Sequence, residues 1–319
     1  MHKHEPIRLR TTRDFGGSIS VTFDFLRENF KPLYKSLLLI AGGIMVLSYT
    51  IGFLVNTLLE TGSTYNEPFA ENTENMGMPP VFGGLNNDFL ASNSILIYIV
   101  FFISTLVVIA ITYRYLLLYP KYGKNISPSL LWLHMRKDLW KILVATFVFY
   151  IILALGVVAI GTTAAAMGWF VAVLSFCVLM YIIIPLSLMH IIILAENINP
   201  IAAIKRSLYL IKDNWWSTFG VIFITSLIIY VISMVIYLPA TIVAGAVSYN
   251  SLEGLGSAAE SNELMTAFTI AMTMIYSMSF FFSLPVSYLA LGFQYFSIVE
   301  SKEHIGLIEK IKTIGEKQL

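Results

Sequence analysis

Charge is scarce in this sequence. Asp, Glu, Lys and Arg make up 12% of its 319 residues, while hydrophobic residues reach 57%. A soluble domain carries roughly 25% charged residues, so an ordinary globular domain is excluded. Cysteine is scarcer still. Cys177 stands alone within an apolar run, which rules out a disulfide framework and any cysteine-based zinc spacing. No Gly-rich phosphate loop, His/Glu metal pair or nucleophile elbow is present. Neither cofactor nor enzymatic activity is therefore expected. The start, MHKHEPIRLRTTRDFGG, lacks the short apolar core and cleavage site of a signal peptide, so none is expected to be removed.

What the chain does have is long uncharged runs, at 36–59, 89–113, 142–195, 214–252 and 264–299. A spanning helix needs about 20 apolar residues. The run 142–195, at 54 residues, is too long for one span. Its GTTAAAMG at 161–168 suits a tight turn between two. The expected fold is all-α, a single integral membrane domain over 1–319 with six transmembrane helices.

Basic residues then orient the spans. All 20 Lys and Arg, with 11 of the 19 carboxylates, lie in the N-terminal segment, the 2–3 and 4–5 connections and the tail. The opposite loops, 60–92 and 248–263, have no Lys or Arg and hold the other eight carboxylates. Basic loops stay cytoplasmic, which places both termini inside. Loop 60–92, rich in Asn, Gly and Pro, reads as a polar connector rather than a partner site.

The segments before the odd-numbered spans look alike. ISVTFDFLRENF (19–30), PSLLWLHMRKDL (128–139) and IKRSLYLIKDNW (204–215) align without gaps. Ile19/Pro128/Ile204, Phe23/Trp132/Leu208, Leu26/Met135/Ile211 and Phe30/Leu139/Trp215 stay non-polar, at the spacing of one helix face. Arg27/Arg136/Lys212 is basic throughout. Each segment is expected to form an amphipathic helix in the cytoplasmic interface, followed by a two-span hairpin. The repeat units run about 12–119, 126–196 and 199–300, and 301–319 is a cytoplasmic tail. Asn199 and Pro200 suit the start of the third helix, and Trp215 and Trp216 suit headgroup depth.

The stretch ENINPIAAIKRSLYLIKDNWWSTFG (196–220) resembles the signature of a six-span bacterial family, the glycerophosphoryl diester phosphodiesterase membrane domain. The matching positions are Glu196, Pro200, Ala203, Arg206, Ser207, Leu210, Asn214 and Trp215. RDFGGSISVTFDFLRENFKPL is similar to the opening of such proteins in Bacteroidetes-like bacteria. The resemblance implies a bacterial inner-membrane protein. The family's phosphodiesterase activity is not expected, because every long polar segment is under about 35 residues.

Candidate functional residues follow from chemistry. Arg27, Lys31, Arg136, Lys137, Lys205, Arg206, Lys212, Trp215 and Trp216 are expected to meet anionic lipid or a membrane-protein partner; nucleic acid fits this pattern poorly. His190, the one histidine inside a span, reads as a structural group rather than a proton relay. Glu196 is expected to pair with Lys205, Arg206 or a base of another repeat, rather than with a substrate. Arg114 is expected to snorkel to the cytoplasmic face. Pro185, Pro239 and Pro285 mark bends, with Ser187 and Ser287 two residues after the first and last. The expected function is a non-catalytic scaffold or accessory subunit. A transporter or lipid-translocating protein using spans 4 and 6 is the alternative.

Overall fold

The structure is a computed structural model that describes residues 7–63, 94–252, 260–304 and 308; along 47–63, 94–98, 243–252 and 260–270 it describes the backbone alone. Most of loop 60–92, much of the 248–263 loop and nearly all of the tail beyond 304 lie outside the described residues. Among those described, nine helices form and no strand does. They are α1 (Phe15–Ser63), α2 (Ser94–Tyr122), α3 (Pro128–Met135), α4 (Leu139–Met167), α5 (Trp169–Ser187), α6 (Met189–Glu196), α7 (Pro200–Ile211), α8 (Trp215–Leu252) and α9 (Glu260–Glu303). Lipid offers no hydrogen bonds, so each apolar run closes its own backbone bonds as a helix.

Among the described residues, five stretches are long and apolar enough to cross a membrane: Phe102–Tyr122, Leu139–Met167, Trp169–Glu196, Trp215–Pro239 and Phe282–Glu303. The chain is an all-α polytopic membrane protein. The remaining expected span, 36–59, runs along α1, where most side chains lie outside the described residues. Burial divides the spans in two. The most apolar windows of α2 and α9 are 78% and 72% buried, whereas those of α4, the α5–α6 pair and α8 are 17%, 28% and 17%. Helices α2 and α9 therefore form the centre. Helices α4, α5 and α8 turn side chains such as Leu155, Phe176 and Tyr230 outward, toward lipid. Exposed Trp140 and Trp169 stand near the two ends of α4, about 40 Å apart along its axis. That spacing matches a bilayer with its headgroups, where indole rings prefer to sit.

The central pair packs closely. A Cβ on Gly292 of α9 would lie 2.4 Å from Leu116 Cδ2 of α2, so any side chain there would force the buried Leu116 to shift. The α4–α5 turn is tighter than expected from 161–168. Helix α4 continues through Met167, and the reversal falls on Gly168 alone, at φ +84°. Pro185 breaks its helix: the Leu188 N–H bonds to the Pro185 carbonyl at 3.2 Å, and α6 begins afresh at Met189. Pro239 and Pro285 lie inside continuous helices.

The three aligned segments differ in form. Helices α3 and α7 are separate and begin alike. Ser127 Oγ accepts from the Leu130 N–H at 3.2 Å, Asn199 Oδ1 accepts from the Ala202 N–H at 2.7 Å, and proline follows each cap. Both close with one turn, Asp138 N–H to Met135 O at 2.9 Å and Asn214 N–H to Ile211 O at 2.8 Å. The first segment has no such turn and is continuous with the rest of α1, which corrects the expectation of a separate helix there. Buried Asn29 donates back to the Phe25 carbonyl at 3.0 Å, and Tyr115 of α2 reaches its Oδ1 at 3.3 Å, which keeps the helix closed.

The face turned to the bundle carries Thr22, Leu131 and Ser207 together with Leu26, Met135 and Ile211, all buried, whereas Phe23, Trp132 and Leu208 are exposed, as suits the acyl boundary. Thr22 and Ser207 are small, which lets their segments approach the bundle closely.

Replacing Gly292 by Leu should destabilise the α2–α9 contact by about 1–3 kcal/mol, the usual cost of overpacking. A lowered thermal midpoint of the purified protein in detergent would register it.

Candidate functional site

Most of the Lys and Arg that the structure describes lie toward the end where α2, α6 and α9 finish and α3, α4, α7 and α8 begin; Lys35 lies further along α1, beside Tyr34, whose hydroxyl donates to the Phe282 carbonyl. At this end Arg27, Lys31, Arg136, Lys137, Lys205 and Lys212 are exposed. Each aligned segment places an exposed apolar side chain one turn before an exposed base: Phe23 before Arg27, Trp132 before Arg136, Leu208 before Lys212. Trp216 is 77% exposed. Trp215 is partly buried between Tyr181 and Phe219, and its indole N–H points to the Tyr181 carbonyl at 3.5 Å. That carbonyl lies four residues before Pro185, where the ring denies it its usual helical donor. Trp215 thus serves the proline break and is not a free membrane anchor.

Arg206 takes the role expected of a partner for Glu196 rather than that of a lipid-facing base. The chain leaves α6 at Glu196 and turns on Asn197, whose φ of +55° reverses it; Lys141 donates to the Asn197 side chain at 2.5 Å. That reversal lays α7 back across the bundle. Arg206 Nε then donates to both Glu196 oxygens, at 2.9 and 3.1 Å, and its other arm reaches Glu303 of α9 at 2.5 Å. Tyr295 adds a hydroxyl donor to Glu196 at 3.0 Å. Burial works against the Arg206 charge, yet its bonds to Glu196 and Glu303 more than offset this and raise its pKa. A guanidinium held by two carboxylates is not available to lipid; its work is to tie α6, α7 and α9 together. Lys302 makes a second tie, donating to Asp213 at 2.9 Å and to the Tyr209 carbonyl at 3.0 Å. The hydrogen bond and charge of Lys302 hold the Asp213 carboxyl below its usual pKa.

Arg114 does not snorkel. It pairs with Asp138 at the start of α4, both side chains being largely buried. His190 lies deeper, its Nε2 at 3.1 Å from Thr146 Oγ1 and its ring edge-on to Phe149. Tyr150, Ser187, His190 and Tyr288 line a cavity of about 220 Å³ whose other walls are mostly apolar. Glu196 is not among its lining residues, so the deep histidine and the carboxylate do not share a site. Among the described residues, no group of three His, Cys, Asp or Glu is placed to hold a metal ion.

No family model, curated protein or solved structure matches this chain. The likeness of 196–220 to a six-span family therefore brings no activity with it.

Sequence reasoning missed Glu303, Tyr295 and the Lys302–Asp213 tie, because each joins α9 to a segment some 90 or more residues away. A usable signal was present: Tyr295, Lys302 and Glu303 are polar groups ending an apolar run.

Two substitutions should separate the ties. Glu196→Gln leaves half-buried Arg206 one carboxylate short and should cost about 1–3 kcal/mol. Asp213→Asn, at an exposed and solvent-screened site, should cost clearly less than Glu196→Gln. Because the Asp213 pKa is lowered on folding, its small contribution is present above the ordinary carboxylate pKa and fades as pH falls below it. Thermal melts of both variants at pH 7 and pH 4 would check the order and the sign.

Proposed function

We propose that this chain is a six-span, non-catalytic protein of a bacterial inner membrane that gathers anionic lipid at its cytoplasmic face, as a scaffold or accessory subunit for a membrane-protein partner. The carrying observation is the recurring outward pair of Phe23 and Arg27, Trp132 and Arg136, Leu208 and Lys212. Side chains of that kind enter the boundary between headgroup and acyl chain while the bases meet phosphates. The shared burial register supports a threefold repeat, and the absence of Lys and Arg from 60–92 and 248–263 supports cytoplasmic termini.

Reversing Arg27, Arg136 and Lys212 together to Glu should lower the ratio of anionic to zwitterionic lipid that co-purifies. Each base near an anionic surface contributes ~1 kcal/mol, roughly fivefold. Mass spectrometry of the retained lipids reads the ratio, and an unchanged value would sink the proposal. Arg206 is left intact because its loss would loosen the fold.

One observation favours the transporter reading. The cavity of about 220 Å³ adjoins the Pro185 break and is lined by Ser187 and Tyr288. Solute or lipid flux in reconstituted vesicles, abolished by Ser187→Ala or Pro285→Ala, would establish that function instead.

A further inference from the structure

A second cavity, of about 230 Å³, opens at the basic end between three parts of the chain. Gln294, Ser297, Ile298 and Ser301 supply one face of α9, at helical spacing. Thr12, Arg13 and Asp14 close it from the N-terminal side, and Asn214 and Ser217 from the start of α8. Gln294 and Ser297 are buried, whereas Thr12, Asp14 and Ser301 are exposed. Along α9 the lining extends about 10 Å, from exposed Ser301 to buried Gln294. Eight of its nine lining residues are polar or charged. Two of them are engaged with each other: the Arg13 N–H donates to Ser297 Oγ at 2.8 Å, and that hydroxyl lies 2.9 Å from the Arg13 carbonyl, to which it donates.

The arrangement has two poles. Helix α8 begins here, and its first-turn N–H groups have no intrahelical acceptor, with no acidic side chain in that turn. Arg13 stands on the same wall. Its guanidinium donates to the carbonyls of Arg8, Leu9 and Thr11 and lies over the Phe293 ring, with no carboxylate partner among the described residues. Burial lowers the Arg13 pKa, so an anion close by would be welcome. Asp14 is the negative pole. One of its oxygens caps the Gly17 N–H at 2.9 Å, and no described residue forms an ion pair with it. At the floor, Gln294 is 2% exposed; its amide N–H donates to Ser217 at 3.0 Å, and its Oε1 has no donor among the described residues. A bare anion would meet the Asp14 charge and leave that oxygen unfilled.

We propose that this cavity binds a zwitterion joining a phosphate ester to a primary ammonium, of the phosphoethanolamine kind. The phosphate faces the α8 N-terminus and Arg13. The ammonium donates to Asp14 and to the Gln294 oxygen. A quaternary ammonium has no N–H to give and fails at that oxygen. The same chemistry comes from a lipid headgroup or from a free phosphomonoester. The proposal does not rest on the anionic-surface reading, since none of the three outward bases lines the cavity.

The test uses the full chain in detergent. O-phosphoethanolamine, phosphocholine and inorganic phosphate are each titrated while thermal unfolding is followed. The expected result is a saturable rise in midpoint with O-phosphoethanolamine, at an affinity at least tenfold above the other two. Native mass spectrometry from nanodiscs of equal phosphatidylethanolamine and phosphatidylcholine assigns the source. Selective retention of phosphatidylethanolamine makes it a lipid site, and response to the soluble compound alone makes it a solute site. Asp14→Asn keeps a good helix cap and removes the negative pole, and Gln294→Leu removes the acceptor. Each should erase the preference over phosphocholine, while Arg136→Glu, outside the cavity, should not. Equal responses to all three compounds, no response in either arm, or an Asp14→Asn protein that titrates like the unsubstituted one would overturn the proposal.

Discussion

Lipid cannot hydrogen-bond, and the rest of this structure follows from that constraint. Backbone groups within the hydrocarbon must find partners inside the chain, which leaves helices as the only form open to the long apolar runs. Hydroxyls on those helices turn back onto their own carbonyls, as Thr112 does to Val108 and Thr225 to Val221. Where Pro185 removes a donor, an indole from the next hairpin is brought to the carbonyl left behind. The one deep imidazole, His190, faces a threonine hydroxyl.

The same constraint drives charge to the basic end. There the ion pairs join helix ends rather than helix middles: Arg114 with Asp138, Arg206 with Glu196 and Glu303, Lys302 with Asp213. Partly buried, the Arg206 cluster is costly to break and specific in geometry, because both carboxylates reach it from fixed helix termini. It determines how α7 lies, and so which bases of α7 remain outward. Lys205 and Lys212 are free to meet a surface because Arg206 is not.

Much of this was legible in the residues and some was not. Helix content and the basic end follow from hydropathy and charge, which are local sums over many residues. The cap Asn199 was readable for the same reason, since it acts within one turn. Hydropathy left open whether Phe23, Trp132 and Leu208 meet lipid or the bundle, and the structure exposes all three. In a membrane protein the outside is also apolar, so hydropathy loses its power to tell inside from outside. Small residues such as Ser207 and Thr22 are the better guide to a packed face there. The Arg206 cluster and the cavity around Gln294 depend on which helix ends meet, and no spacing within one segment encodes that.

The continuity of α1 has a mechanical consequence. Forty-nine residues in one helix extend ~73 Å, whereas a bilayer with its headgroups is ~40–45 Å thick. At an ordinary tilt of about 20° α1 therefore projects beyond the headgroups. Its start at Phe15 lies beside the cavity and against Gly220 of α8, and Pro32, which denies the Glu28 carbonyl its usual helical donor, is the point along it where a bend costs least.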